Sequence, residues 1–221
     1  MTLEVLEAPQ VDRLHFWALQ ADVADAAGRR RGGAHLGLQW HPGYPGCTAV
    51  NWGGYDAAGR ELDGSRSELP STLGNPNTCD LGWRGGVAYR LRIHRVDAGG
   101  GLVWRGSVNE IGADPVDVRD LYLAGDRITG TVMWSEVFAR CDHPSTSVRW
   151  SDPEAVTVDG ETVRPHRVSV NYQSHADGGC ANTTSVADDV GIVQRTNAER
   201  STPQGAVLAV PGAPPRVRSG P

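Results

Sequence analysis

Residues 35–56, HLGLQWHPGYPGCTAVNWGGYD, bring together the side chains of this chain that are most able to do chemistry. The segment contains two Trp, two Tyr and two His, together with one Gln and one Asn. Sugars present apolar C–H faces and hydroxyl groups, so a site for them needs flat aromatic rings beside amides and imidazoles. The segment therefore predicts a binding surface for a carbohydrate or another hydroxyl-rich small molecule.

Strand periodicity predicts that half of the side chains in this segment are buried and that the other half are available to a ligand. Leu36, Leu38 and Trp40 share one parity, and His35, Gln39 and His41 share the other. The alternative is that Trp40 and Trp52 are both core residues and that HPGYPG is only a rigid turn. Our predicted ligand-binding residues are Gln39, His41, Tyr44, Asn51, Trp52, Trp134, Asn171 and Gln173.

A carboxylate on an otherwise apolar strand face marks a second candidate. Glu136 has the same parity as Val132, Trp134 and Phe138. Such a carboxylate is costly unless it is paired or lies in a cleft, where its pKa rises towards values useful in acid–base chemistry. An ion pair with Arg92 or Arg140 is the structural alternative.

Glu136 also permits an enzyme as the alternative function. In that hypothesis Glu136 or His94 is the acid–base group, and Arg92 or Arg66 clamps the charge of the substrate in a lyase or a biosynthetic cyclase. Glycosidases need two facing carboxylates. We find no second carboxylate at a suitable strand position, which weighs against a hydrolase.

A short motif points to one lyase in particular. Arg-Ser-Glu-Leu at 66–69 resembles a motif of the jelly-roll alginate lyases, in which an Arg neutralises the uronate carboxylate. In that resemblance His94 and Tyr172 would serve the β-elimination. The surrounding motifs differ, since a Gln-Ile-His strand of those enzymes corresponds here to Arg92-Ile93-His94.

Cysteine and acidic residues suggest metal sites only weakly. The four Cys suit two disulfides, Cys47–Cys79 and Cys141–Cys180, although a cytosolic chain could hold them reduced. A zinc site would use Cys141, His143, His175 and Cys180, with spacings unlike the usual zinc knuckles. The Asx-rich loop at 171–189 could offer oxygen ligands to Ca²⁺, but its spacing matches no EF-hand. We predict no metal and no cofactor.

Charge and composition exclude several classes of partner. The net charge of −5 and the pI of about 5.8 argue against binding to nucleic acid or to anionic lipid. All 21 basic residues are Arg, which rules out a Schiff-base lysine and a P-loop. The sequence contains no apolar run long enough for a transmembrane helix. Because the N-terminus does not resemble a signal peptide, we predict a cytoplasmic protein, or a secreted one if this is a trimmed mature end.

Short strands separated by turns dominate the chain. The clearest is VAYRLRIHRV at 87–96, where Tyr89, Leu91 and Ile93 alternate with basic residues. The 28 Gly and 14 Pro favour turns over helices. We predict a single all-β domain over 1–210, a two-sheet antiparallel sandwich of jelly-roll or concanavalin-like type, followed by a disordered tail at 211–221.

Three segments together resemble a bacterial family of uncharacterised, lectin-like β-sandwich proteins. They are HLGLQWHPGYPGCTAVNWGGYD at 35–56, LGNPNTCDLGWRGGVAYRLRI at 73–93 and VMWSEVFARCD at 132–142. The likeness covers roughly residues 13–195. It implies a β-sandwich fold and a binding role, and it implies no particular activity.

Overall fold

A computed structural model of the chain describes residues 1–69, 71–99 and 101–212, apart from the side chain of Leu102. Regular structure in these ranges consists of β-strands and two three-residue 3₁₀ turns, Pro45–Cys47 and His175–Asp177. In chain order the strands are β1 (Thr2–Glu7), β2 (His15–Ala24), β3 (Arg30–Trp40), β4 (Thr48–Asp56), β5 (Thr78–Cys79), β6 (Ala88–Asp97), β7 (Leu102–Glu110), β8 (Val116–Leu121), β9 (Arg127–Val137), β10 (Ser147–Ser151), β11 (Ala155–Val156), β12 (Thr162–Val163), β13 (Arg167–Ser169), β14 (Thr184–Ala187), β15 (Ile192–Arg195) and β16 (Val207–Ala209). Across the same ranges, no helix is long and apolar enough to cross a membrane.

The described residues form two compact units. The central unit is Pro9–Ala139, and the terminal unit combines Met1–Ala8 with the described residues from Arg140 onward. The expectation of one domain over 1–210 stays a prediction. Residues 213–221, most of the predicted tail, lie outside the described residues.

The central unit contains an antiparallel five-stranded sheet of order β5-β4-β3-β2-β9 and a second antiparallel sheet, β6-β7-β8. β2 and β3 form a hairpin in which Phe16 lies opposite Gln39. β9 pairs with the other side of β2, so that Phe16 also lies opposite Glu136. Segments more than 100 residues apart in the sequence therefore become neighbours.

The core of the central unit lies between these two sheets. Trp17, Leu36, Leu38 and Trp52 point into it from the five-stranded sheet and are almost completely buried. On the opposing sheet, Gly106 leaves room for an indole, since a Cβ atom there would lie 2.7 Å from Cγ of Trp52. The predicted all-β, two-sheet antiparallel sandwich is thereby confirmed.

The terminal unit has its own antiparallel sheet, of order β14-β15-β10-β1, and two small ladders, β11–β12 and β13–β16. Arg149 lies at the centre of its charged network. The Arg149 guanidinium donates to Glu4 at 2.8 Å and to Asp188 at 2.7 Å, which joins β1 and β10 to the turn before β15. These bonds fix Asp188 as an ion-pair partner.

One of the two predicted disulfides is present. Cys141 and Cys180 are bonded in the terminal unit, whereas Cys47 and Cys79 are free thiols. The pairing Cys47–Cys79 was wrong because β5 places Cys79 opposite Val50. Cys47 lies three residues before Val50, in the 3₁₀ turn that precedes β4, and it forms no bond with Cys79.

The same bond removes the zinc alternative, since Cys141 and Cys180 no longer offer thiolates. Among the residues that the structure describes, no group of three or more His, Cys, Asp or Glu side chains is placed to hold a metal ion. In the Asx-rich loop, Asn182 donates to the carbonyl of Cys141, and Asp188 is held by Arg149. The Asn182 amide nitrogen and the Asp188 carboxylate are thus engaged in bonds within the protein.

Candidate functional site

The five-stranded sheet has one face turned away from the core, which we call the outer face. Strand register decides its members, because directly paired residues point to the same side of a sheet. They are Phe16, Ala18, Gln20 and Asp22 on β2; Gly33, His35, Gly37 and Gln39 on β3; Ala49, Asn51, Gly53 and Tyr55 on β4; Thr78 on β5; and Gly130, Val132, Trp134 and Glu136 on β9.

An aromatic cluster occupies the middle of the outer face. The ring of Phe16 meets Trp134 edge-on with centroids 5.0 Å apart, and it meets His35 at 5.6 Å. His35 also contacts Trp134 at 5.8 Å and Tyr55 at 6.5 Å. The cluster grades from a buried centre to an exposed rim, since Phe16 is 3% exposed and Tyr55 is 54% exposed.

Gly37 allows this cluster to lie close to the sheet. A Cβ atom at Gly37 would lie 2.8 Å from a ring carbon of Phe16, closer than real side chains approach. Asn77 lies over Gly53 in the same way, since a Cβ atom at Gly53 would be 2.8 Å from Cγ of Asn77. The small residues thus bring neighbouring side chains close to the sheet, and ring surface is exposed at the rim.

Polar side chains occupy the β3–β4 end of the outer face. The Tyr44 hydroxyl donates to Oε1 of Gln39 at 2.9 Å, and burial raises the pKa of that hydroxyl. His41 packs edge-on against Tyr44 at 5.8 Å, while its Nδ1 accepts the Gly43 N–H at 3.0 Å. These bonds fix the HPGYPG turn against the sheet and hold the Gln39 amide in place.

Asn51 adds an unused acceptor to this polar end. Its side chain is 6% exposed, and its Oδ1 atom finds no hydrogen-bond partner within the described part of the chain. A buried acceptor without a partner costs about 1–3 kcal/mol.

Glu136 lies across the strand pair from Phe16 and is exposed. Partial burial nevertheless raises the pKa of its carboxyl. Its carboxylate has neither an ion pair nor a hydrogen bond among the described residues. The ion-pair alternative was wrong, since Arg140 is bonded to Asp142 at 2.6 Å and Arg92 lies on the other sheet.

His94 and Arg92 occupy a different surface from Glu136. His94 lies on β6 opposite Arg105, on the side of that sheet that faces away from Gly106 and the core. Burial, followed by the charge of Arg92, lowers the pKa of His94. Glu136 and His94 therefore point out of opposite sides of the sandwich, and the structure does not bring the predicted acid–base pair together.

Trp52 requires a second correction. It is fully buried and points into the core towards Gly106, so its indole is not on the outer face. The reason is strand geometry, because Asn51 and Trp52 are consecutive and must point to opposite sides. Of this pair, only Asn51 belongs to the candidate site.

Asn171 and Gln173 belong to the terminal unit, not to the outer face. The Gln173 amide donates to the carbonyl of Asp177, and Oδ1 of Asn171 accepts from the amide of Gln204. Tyr172, the candidate from the lyase motif, accepts the Ser185 N–H at 3.0 Å. These three side chains already have partners within their own unit.

Sequence reasoning missed two members of the outer face, namely Phe16 and Gln20. The signal was present in β2, where Phe16, Ala18 and Gln20 alternate with the apolar side chains of the core. That strand looked apolar on both faces, so its parity did not stand out. A Phe on the face that carries Gln20 was the available clue.

A shallow cavity of about 230 Å³ lies elsewhere, beside β7 and the loop before β6. Its polar groups bond to one another. The Tyr89 hydroxyl accepts the Arg84 N–H, Arg84 pairs with Glu110, and Asn109 donates to the carbonyl of Glu110. None of the predicted site residues lines it.

His35 makes the stability of the aromatic cluster dependent on pH. Burial lowers its pKa from 6.5 to about 4, so the ring is neutral in the folded protein at neutral pH. The unfolded chain takes up this proton first as the pH falls. The stabilisation is therefore complete above about pH 6.5 and is lost progressively down to about pH 4.

Between about pH 7 and pH 4, we expect the free energy of unfolding to fall less for His35→Gln than for the wild type. The two decreases should differ by up to about 3 kcal/mol. Urea unfolding of both proteins at the two pH values measures this difference, and the carboxylate titrations that the proteins share cancel. Parallel pH profiles for the two proteins would contradict the assignment.

The chain matches no family model, and no curated protein matches it.

Proposed function

We propose that the protein binds a carbohydrate, in the manner of a lectin, through the outer face of the five-stranded sheet. The observation that carries this proposal is the combination, on one sheet face, of the aromatic cluster with the amides of Gln39 and Asn51. Aromatic rings stack on the C–H faces of sugars, and amides bond to their hydroxyls. The resemblance to lectin-like β-sandwich proteins points in the same direction.

Carboxylate spacing argues against a glycosidase on this face. Besides Glu136, the outer face carries Asp22, which is already bonded to Arg30 at 3.1 Å. Glu136 lies opposite Phe16, six residues before Asp22 along β2, so the two carboxylates are about 20 Å apart. Glycosidase pairs are separated by about 5–9.5 Å. Binding without hydrolysis is therefore the function that we retain.

The separation of Glu136 from His94 removes the support for the enzyme alternative in its predicted form. A lyase or cyclase would need the base and the Arg clamp at one substrate, and Arg92 accompanies His94 on the opposite side of the sandwich. We therefore carry no catalytic role forward for these three residues.

We also propose that the protein functions in an oxidising compartment. The Cys141–Cys180 disulfide supports this, because reducing compartments rarely preserve structural disulfides. This corresponds to the secreted alternative of the sequence-based prediction.

A glycan array followed by calorimetry on the best sugar tests the binding function. We expect Trp134→Ala and Tyr55→Ala each to weaken binding by about tenfold or more, because each removes ring surface from the outer face. Tyr122→Ala is the matched control, since Tyr122 is as exposed as Tyr55 (58% against 54%) but follows β8.

Circular dichroism of each variant establishes that it remains folded. The proposal fails if no glycan binds the wild type. It also fails if Tyr122→Ala weakens binding as much as the two outer-face variants do.

A further inference from the structure

We infer that the outer face selects sugars that carry a protonated amino group, with Glu136 as the group that holds the ammonium. This inference rests on the proposed carbohydrate-binding function and names its ligand class. It is carried by an unpaired carboxylate whose neighbours in the sheet register are aromatic, on a sheet face that carries no arginine.

In the strand register, three neighbours of Glu136 are aromatic residues. Phe16 lies directly opposite it on β2, and Trp134 precedes it by two residues on the same face of β9. Phe138 follows at the same parity, continues the ladder through its N–H to the Leu14 carbonyl, and is 58% exposed. An ammonium ion at this position would pair with the carboxylate next to these aromatic residues.

Four arginines close to the five-stranded sheet are already paired with carboxylates, and Arg13, before β2, donates to the carbonyl of Asp12 at 2.8 Å. Arg30 is bonded to Asp22, and Arg31 to Asp25 at 2.7 Å. At the two ends of β9, Arg127 is paired with Asp126 at 3.1 Å and Arg140 with Asp142 at 2.6 Å. Intramolecular ion pairs thus leave the carboxylate of Glu136 without a cation.

The histidine of the aromatic cluster adds no positive charge near Glu136 at neutral pH. His35 is the histidine within the aromatic cluster, and its lowered pKa keeps it uncharged. A uronate at this face would meet the negative charge of Glu136. The outer face therefore disfavours the acidic polysaccharides that the Arg-Ser-Glu-Leu motif had suggested.

The distance from Glu136 to the amide end favours an oligosaccharide. Glu136, Phe16 and Gln39 form one row across β9, β2 and β3, so that Glu136 and Gln39 are two strand spacings, about 10 Å, apart. One sugar unit can place its ammonium at Glu136 while the next reaches Gln39. The amides then contribute affinity, and Glu136 contributes the preference for an amino sugar.

Calorimetry with three tetrasaccharides tests the inference near neutral pH. The probes are a β-1,4-linked glucosamine tetramer, its fully N-acetylated counterpart and a galacturonate tetramer. We expect the wild type to bind the amino tetramer about tenfold or more tighter than the N-acetylated one and to bind the galacturonate tetramer weakest. Glu136→Gln should make the first two affinities equal, while the affinity for the N-acetylated tetramer stays within about twofold.

Glu110→Gln is the matched control. This substitution removes the same charge, but Glu110 lies on β7 of the other sheet. This variant should keep the wild-type preference. The inference is overturned if the N-acetylated or galacturonate tetramer binds the wild type as tightly as the amino tetramer. It is also overturned if Glu136→Gln keeps the preference or if Glu110→Gln loses it. These outcomes leave the carbohydrate-binding function standing, whereas that function itself fails if no sugar binds.

Discussion

Trp52→Ala is expected to lower the free energy of unfolding of the protein by about 3–5 kcal/mol. Trp52 is fully buried, and it fills the space that Gly106 leaves on the opposing sheet. Removing the indole opens a cavity between two strand layers whose backbones are fixed by their ladders, so the site cannot collapse to fill it. Equilibrium unfolding in urea, followed by tryptophan fluorescence and circular dichroism, measures the loss.

Trp134→Ala is the control for this prediction, because it removes the same side chain from the outer face of the same sheet. Trp134 is only half-buried, so part of its surface is in water before and after unfolding. Its loss of stability should be clearly smaller, while its loss of sugar binding should be larger. Equal destabilisation by the two substitutions would contradict the assignment of one Trp to the core and the other to the site.

Alternation along single strands could be predicted from the sequence. Leu36 and Leu38 lie in the core, while His35 and Gln39 point to the outer face, as their parity predicted. The same rule left Trp52 ambiguous, because both members of the Asn51–Trp52 pair looked able to bind a ligand. Only the sheet opposite, with Gly106 facing the indole, decides which of the two is buried.

The partnership between strands could not be predicted in this way. Parity shows which side of its own strand Glu136 or His94 occupies, but it does not show which sheet the strand joins. β9 pairs with β2 and places Glu136 beside Phe16, whereas β6 joins the other sheet and carries His94 away. Long-range register therefore decided between a shared catalytic pocket and two separate surfaces.

Cysteine pairing could not be predicted from the sequence either. An even number of Cys allows several pairings, and spacing in the sequence does not rank them. Cys141 and Cys180 meet in the terminal unit, whereas the register of β4 with β5 keeps Cys79 opposite Val50 and away from Cys47. The register of the folded sheet, which spacing in the sequence does not reveal, separates these two cysteines.

Reducing the Cys141–Cys180 disulfide is expected to destabilise the terminal unit by about 4 kcal/mol. The two cysteines are 39 residues apart, so the bond closes a long loop and removes many conformations from the unfolded chain. Unfolding in urea with and without a reductant measures this loss. The double variant Cys141→Ser with Cys180→Ser should reproduce it and should no longer respond to the reductant.

Thiol titration in denaturant separates this bond from the two free cysteines. Without a reductant we expect two reactive thiols, those of Cys47 and Cys79, and after reduction all four. Cys47→Ser provides the control, because Cys47 takes part in no disulfide. The free energy of unfolding of this variant should still depend on the reductant. Four reactive thiols before reduction would show that the disulfide is absent. The support for an oxidising compartment would then be lost as well. Two thiols together with an unchanged unfolding curve on reduction would instead show that the loop between the cysteines is already ordered in the unfolded chain.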